Sequence, residues 1–297
     1  MDRILFGDNQ FFGINHMSEE RARAQAMQFK DTPSIMRILD HAYEAGIKVF
    51  MCTTHDRIGE IADIVRENPS RYPDFKFYPC MPYAHKYANS IGEAGIIETL
   101  RRFAPGNIVE TLIKGAISAT TRDLDKLAQL LVDAEMKHFA GLKTPVVFLQ
   151  NVVTDLLLGL HLNHLFAVFA KHVEEKYGAE AGFITMNLPR LVDTLEQIGI
   201  KNPIVCASIN KIGFRMSGGV DAYRDLIRSG RCRVIAMSIF ASGAIPPREA
   251  IEWVCSLQGL HSIVFGASSP GNIQQSLGLI EQVWGLRPDR FAERGFE

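Results

Sequence analysis

Along this chain the hydrophobic positions repeat one order: an amphipathic helix, a glycine, then a short apolar run. The first instance opens at Thr32-Pro33, an N-cap candidate followed by proline in the first helical turn. Ile35, Ile38, Leu39, Ala42 and Tyr43 fall at i, i+3, i+4, i+7 and i+8, so they share one helical face. Gly46 supplies a left-handed stop, and residues 47–52 then predict a buried strand. The order returns three times. Leu191, Val192, Leu195 and Ile198 lead through Gly199 to a strand at 204–209. Ala222, Tyr223, Leu226 and Ile227 lead through Gly230 to a strand at 234–240. Ala250, Ile251, Val254 and Leu257 lead through Gly259 to a strand at 262–266. A helix between two strands carries the chain back to the edge it left, so successive strands run parallel.

Four further apolar runs, at 4–10, 75–80, 146–151 and 182–187, bring the strands to eight. Eight alternating units predict an α/β fold of the (β/α)8 TIM barrel type, one domain over residues 1–297 with a last helix near 270–285. Between the third and fourth strands the pattern predicts a helix at 91–103 and another starting near Thr120. In such barrels the chemistry sits at the C-terminal ends of the strands, and those ends carry the candidate residues.

Composition narrows the function classes. A hydrophobic fraction of 47% over 297 residues suits one large buried core. Lys plus Arg number 32 against 33 Asp plus Glu, with no basic stripe, which argues against a nucleic-acid partner. No apolar run approaches the roughly 20 residues of a membrane helix, so no membrane partner is expected. Five widely spaced cysteines without a Cys-x-x-Cys pair predict reduced thiols. With no signal-like start, this points to a cytoplasmic protein acting on a small-molecule substrate. Nothing in the pattern sets the oligomeric state.

Two strand ends are rich in ionisable groups. Thr53-Thr54-His55-Asp56 follows the second strand, and Tyr83-Ala84-His85-Lys86-Tyr87 follows the third. Adjacent ends share one mouth, so His55 or His85 is expected to act as acid and base, beside Asp56. Asp8, in Gly7-Asp8-Asn9-Gln10 after the first strand, is a candidate carboxylate partner, and Tyr83 with Lys86 offers an acid with a cationic neighbour. Cys52, His55, Cys80 and His85 are zinc-ligand types, but Cys52 and His55 are three apart and alternation turns them to opposite sides, so no metal is expected. Phe11-Phe12-Gly13 before Asn15-His16 suits either a lid or a simple cover for the barrel rim.

The second half resembles the aldo-keto reductase superfamily. Val234-Ile-Ala-Met-Ser-Ile-Phe-Ala-Ser-Gly243 is similar to that family's seventh strand and loop. Ser262-Ile-Val-Phe-Gly-Ala-Ser-Ser-Pro-Gly-Asn-Ile273 is similar to its eighth strand and following helix start. Leu195-Glu-Gln-Ile-Gly-Ile-Lys-Asn-Pro203 resembles its approach to strand six, and Ala45-Gly-Ile-Lys-Val-Phe50, more faintly, its approach to strand two. The resemblance implies NADP or NAD as cofactor, held by Ser238, Ser242 and Gly243 after strand seven and by Gly266, Ala267, Ser268, Ser269, Asn272 and Gln275 after strand eight. Physically, a Ser-Pro helix start after a glycine-ended strand offers free N–H groups and the positive end of a helix dipole to a phosphate. No Arg or Lys follows to grip a 2′-phosphate. At the nicotinamide end Asn187 matches, while Met186, Cys206 and Met237 replace the family's residues. Its catalytic Asp, Tyr, Lys and His fall at Met51, at or beside Asp56, within residues 79–82 and at Gln150-Asn151, none of them matched. Without the Lys a tyrosine acid loses the charge that lowers its pKa, so reduction of common aldehydes at the family's usual rates is not expected.

Three functions fit this pattern: a small-molecule oxidoreductase using a nicotinamide nucleotide, a non-redox lyase, isomerase or hydrolase using His and carboxylate acid–base chemistry, and a non-catalytic binding module. The phosphate-binding resemblance ranks the first ahead, and the ionisable cluster ranks the third last.

Overall fold

A strand shows alternate side chains to its two faces, and here both faces are apolar, as a sheet covered on both sides requires. The protein, as a computed structural model, describes residues 1–13, 19–82 and 121–285. Its strands are β1 (Ile4–Gly7), β2 (Val49–Thr53), β3 (Lys76–Met81), β4 (Val146–Leu149), β5 (Glu180–Thr185), β6 (Ile204–Ser208), β7 (Arg233–Met237) and β8 (Leu260–Phe265). All pair in parallel in sequence order, and β1 closes on β8. The barrel that the pattern predicted is therefore the fold.

The helices among the described residues are α1 (Glu19–Gln28), α2 (Thr32–Glu44), α3 (Asp56–Glu67), α4 (Thr121–Met136), α5 (Asn151–Gly159), α6 (His164–Tyr177), α7 (Leu188–Gln197), α8 (Gly219–Ser229), α9 (Pro247–Cys255) and α10 (Pro270–Trp284). They cover the outward residues of the strands, among them Phe6, Phe50, Phe77, Phe183, Val205 and Val234, in one continuous core. The inward residues form a second core inside the barrel, including Leu5, Val49, Tyr78, Phe148, Ile204 and Ile235. Gly182 clears space for the ring of Phe148, since a methyl at Gly182 would stand on it. Four glycines expected to stop helices, at 46, 199, 230 and 259, do adopt positive φ, between 68° and 96°. None of these helix ends therefore forces a side chain into left-handed backbone.

Several strand ends differ from the expectation, each for a local reason. The first strand stops at Gly7 rather than residue 10, because Asn9–Phe12 turn into a short 3-10 helix with Phe11 N–H donating to Asp8 C=O at 2.8 Å. Phe11 then packs outward against Phe29 and Phe50. The fourth ends at Leu149, since Gln150 already serves as the N-cap of α5. The fifth ends at Thr185, where Asp155 of α5 takes its hydroxyl and the next N–H. The seventh ends at Met237, because Ser238 is left-handed at φ 55° and breaks the ladder. The second strand runs to Thr53, the third to Met81, the sixth to Ser208, and the eighth covers 260–265. Asp31, not Thr32, caps α2, its carboxylate accepting Ser34 N–H at 2.9 Å. The helix expected at 91–103 lies outside the described residues.

At the N-terminal end of the barrel the charges are closed on one another. Lys76 Nζ meets both Asp2 carboxylate oxygens at 3.1 Å, Arg233 meets Glu180 at 2.6 Å, and Ser262 Oγ donates to Asp2 C=O at 2.5 Å. Arg3 donates to the carbonyls of Leu260 and His261 and lies 4.0 Å over the Trp284 ring. No helix among the described residues is long and apolar enough to cross a membrane.

Candidate active site

The C-terminal ends of the strands surround a cavity of about 880 Å3, within the usual range for small-molecule sites. Its floor is the top of the inner core. Met51, Cys80, Ile184, Cys206, Met237 and Val264 line it, an apolar surface with four sulfur atoms. Burial pushes the Cys80 and Cys206 thiols well above their ordinary pKa, so both are neutral. Such a floor suits a polarizable, apolar ring more than a charged group.

One carboxylate stands at the edge of this floor. Asp8 is 6% exposed, and its Oδ2 accepts both the backbone N–H and the hydroxyl of Thr53, each at 2.7 Å. Burial raises its pKa, and the Thr53 bonds offset part of that rise. Among the described residues no cation pairs with it. Beside it Gln10 donates to Gly7 C=O at 2.8 Å and lays its amide on Gly266, where no side chain stands in the way. The close approach that Gly266 permits is thus taken by this chain's own Gln10. Asn9, Gln25, Gln150 and Asn151 add further carboxamides to the wall.

Met186 is fixed by four hydrogen bonds. Its N–H donates to Asp155 at 3.0 Å, its C=O accepts from Tyr223 OH at 2.7 Å and from Ser217 N–H at 2.9 Å, and its sulfur accepts the Ser208 hydroxyl at 3.4 Å. Burial raises the pKa of Asp155 despite its bonds to Thr185 and Met186. After β7 the backbone is strained: Ser238, Ala241 and Ser242 have φ of 55°, 46° and 58°, in a region that costs a non-glycine residue of order 1 kcal/mol or more. This turn is closed on itself: Ala241 N–H donates to Ser238 C=O at 2.9 Å and Gly243 N–H to Phe240 C=O at 2.8 Å.

The expected site residues divide. Asp8, Ser238, Ser242, Gly243 and Gly266 line the cavity. His55 and Asp56 are not among the described residues lining it. His55 is the N-cap of α3, its Nδ1 accepting Arg57 N–H at 3.1 Å while its ring stacks on Phe12 at 4.3 Å. Asn187, expected at the nicotinamide end, uses its side-chain oxygen on Arg190 N–H at 3.4 Å to cap α7. Ser269 caps α10 by accepting Asn272 N–H at 3.3 Å. Ser268 is half-buried, its C=O taken by Gln28, while Asn272 and Gln275 are exposed, and with buried Ala267 these residues stand outside the cavity wall. Tyr83, His85 and Lys86, like Asn15 and His16, lie outside the described residues. Among the described residues no three His, Cys, Asp or Glu side chains gather as a metal site.

Sequence reasoning passed over Arg215, Thr53 and Asp155. Arg215 belongs to the loop after β6, and the glycines of Gly213-Phe-Arg-Met-Ser-Gly-Gly219 were the signal that this loop has a built shape. Thr53 and Asp155 act through partners 45 and 31 residues away, which no local pattern reveals.

No family model matches the chain, and no curated protein matches it by sequence. Among solved structures, two of candidate aldo-keto reductases from Pseudomonas aeruginosa superpose with TM-scores of 0.58. They are 11% and 10% identical, and each alignment covers 94% of this chain and 90% or 89% of the other. At such identities the likeness is one of fold. The chain has an aldo-keto-reductase-like (β/α)8 barrel.

Proposed function

We propose that this barrel is a small-molecule oxidoreductase that works with a nicotinamide nucleotide, NADP or NAD, at its mouth. The observation that carries the reading is the pairing of an apolar floor with a buried carboxylate, the one carboxylate among the described residues lining the cavity. The residues present fit the nucleotide at two places. Met51, Met237 and Val264 offer an apolar bed for a ring, and Ser238 and Ser242 in the loop after β7 line the same cavity as contacts for a pyrophosphate. When bound, the nucleotide supplies or accepts hydride. Asp8 then does the proton's share: burial keeps its proton on to higher pH, Thr53 fixes the carboxyl, and a substrate oxygen seated beside it receives that proton. His55, Asp56, Tyr83, His85 and Lys86 stay within this proposal as further acid–base groups of the adjoining loops, and Asn187, Ala267, Ser268, Ser269, Asn272 and Gln275 as contacts for the far end of the nucleotide.

Titrating the protein with NADPH and NADH, following nucleotide fluorescence, tests the reading. Saturable binding of either, retained in Asp8→Asn, is the expected result. Absence of binding by both nucleotides overturns it. Asp8 in the same cavity favours a second reading, non-redox acid–base catalysis by a lyase, isomerase or hydrolase, because a buried carboxyl whose pKa burial raises needs no nucleotide to act.

A further inference from the structure

The mouth carries a positive charge that this chemistry does not use. Arg215 is the one cation among the described residues lining the cavity, and among those residues no carboxylate pairs with it. Charges elsewhere on the same stretch of chain are paired: Lys211 with Glu249, Arg224 with Asp221, Arg228 with Asp225, and Arg231 with Asp193 and Glu196.

Arg215 is also held where it is. The loop from Asn210 to Gly219 is braced from within. The fully buried Asn210 accepts Phe214 N–H at 2.8 Å and donates to Phe214 C=O at 2.9 Å, fixing both backbone groups of the residue before the arginine. On the other side Met216 is buried, its sulfur taking Asn210 N–H at 3.4 Å, and Ser217 N–H is tied to Met186 C=O. Between these anchors Arg215 has φ 57°, a left-handed conformation that an arginine keeps only when its surroundings dictate it. Its guanidinium lies 5.5 Å from the Phe214 ring, which limits its swing. Backbone strain is thus invested in presenting one guanidinium at the cavity. The loop after β7, with Ser238 and Ser242, lines the same cavity.

We propose that Arg215 reads an oxyanion, so that the ligand taken at the mouth carries a phosphate, pyrophosphate or carboxylate. A guanidinium matches such groups with two parallel N–H donors, which a lysine ammonium cannot do. The inference rests on the mouth being the ligand site, not on hydride chemistry. The oxyanion has two sources, the phosphates of a nucleotide or a carboxylate on the substrate, and the probes separate them.

The test is calorimetric titration of the full chain with inorganic pyrophosphate, NADPH and succinate, for wild type, Arg215→Met, Arg215→Lys and Lys211→Met. At least one probe is expected to bind Arg215→Met about tenfold or more weakly than wild type. Arg215→Lys falls between, and Lys211→Met matches wild type. Unchanged thermal unfolding of Arg215→Met shows that the loss is not one of folding. A loss confined to NADPH and pyrophosphate assigns the nucleotide as source, and a loss with succinate assigns the substrate. If none of the three probes loses affinity in Arg215→Met, the inference falls. Pyrophosphate or succinate binding that depends on Arg215 in a protein that binds neither NADPH nor NADH keeps this inference and removes the nicotinamide reading. NADPH binding with every probe indifferent to Arg215 does the reverse.

Discussion

The two ends of this barrel treat charge in opposite ways. At the N-terminal end Lys76 answers Asp2, Arg233 answers Glu180, and Arg3 spends its donors on two carbonyls. At the C-terminal mouth Asp8 has hydroxyl and amide partners without a described cation, and Arg215 has no described carboxylate. Of the non-glycine residues in left-handed backbone among the described residues, Arg215, Ser238 and Ser242 line the mouth, while Asn202 precedes β6 at the other end. A closed network lowers the energy of the fold and asks nothing of a ligand. An open one leaves binding energy for a ligand to collect, at a cost to the fold. The contrast supports the proposed site at the mouth on physical grounds, in agreement with where barrels of this type carry their sites.

The largest expected effect follows from Asp8. Its folded pKa lies above the ordinary 3.8, so between the two values the folded state binds a proton that the unfolded chain releases. Stability from this group is complete below the unfolded pKa and declines as pH rises through the folded one. Asp8→Asn keeps an oxygen for Thr53 and removes the titration. Urea unfolding from roughly pH 4 to pH 8 is expected to show the variant gaining on wild type as pH rises, with no gain at the acid end. Turnover, once a substrate is in hand, falls about 100-fold or more, the scale of a general acid. A wild type that outlasts Asp8→Asn at neutral pH would mean that the carboxylate stabilises the fold, and the contrast between the two ends would break.

Asp8 also shows how far the sequence was legible. The helix–glycine–strand order is written in local periods, because burying one face of each helix and both faces of each strand dictates spacing; the four strands it predicts and the four read from apolar runs are all present. Strand ends were less legible. Their limits depend on a side chain arriving from elsewhere, Asp155 on Thr185 or Asp8 on Thr53, across 30 and 45 residues. The weight placed on His55 came from counting ionisable types near a strand end. Such counting does not reveal that a residue just before a helix serves as its N-cap, as His55 does. Arg215 escaped for a related reason, since an isolated arginine in a loop signals nothing until the loop's bracing is seen.

A second pair of sites sharpens the comparison through packing. Gly182 faces the filled interior, where an added methyl would meet the Phe148 ring, and Gly266 faces the mouth, where it would meet the end of the Gln10 side chain. A ring locked between strands cannot yield, whereas an amide beside a cavity can. Gly182→Ala is expected to cost about 1–3 kcal/mol in chemical denaturation. Gly266→Ala should cost under about 1 kcal/mol and still alter ligand affinity, by pushing Gln10 off its bond to Gly7 C=O. Equal losses at both glycines would show that the mouth is packed as tightly as the interior.

The smallest effect is expected at the closed end. Lys76 is about one-third exposed, and Asp2 is mostly covered. Their contact is thus a partly buried pair, screened on one side by solvent and supported on the other by the Ser262 bond to Asp2 C=O. Replacing Lys76 by Met keeps the aliphatic stem and removes the charge, which for a pair of this exposure costs about 1 kcal/mol or a thermal midpoint lower by about 2 °C. Added salt should reproduce part of that loss in the wild type and much less of it in the variant, because only the wild type has the attraction to screen. Ligand affinity and turnover should be unchanged, since Lys76 opens β3 at the end opposite the cavity. Arg215→Met is the mirror of this substitution, with stability kept and anion affinity lost. If Lys76→Met weakened binding at the mouth as much as Arg215→Met does, charge at the two ends would be coupled through the barrel, and the division between a stabilising end and a functional end would not hold.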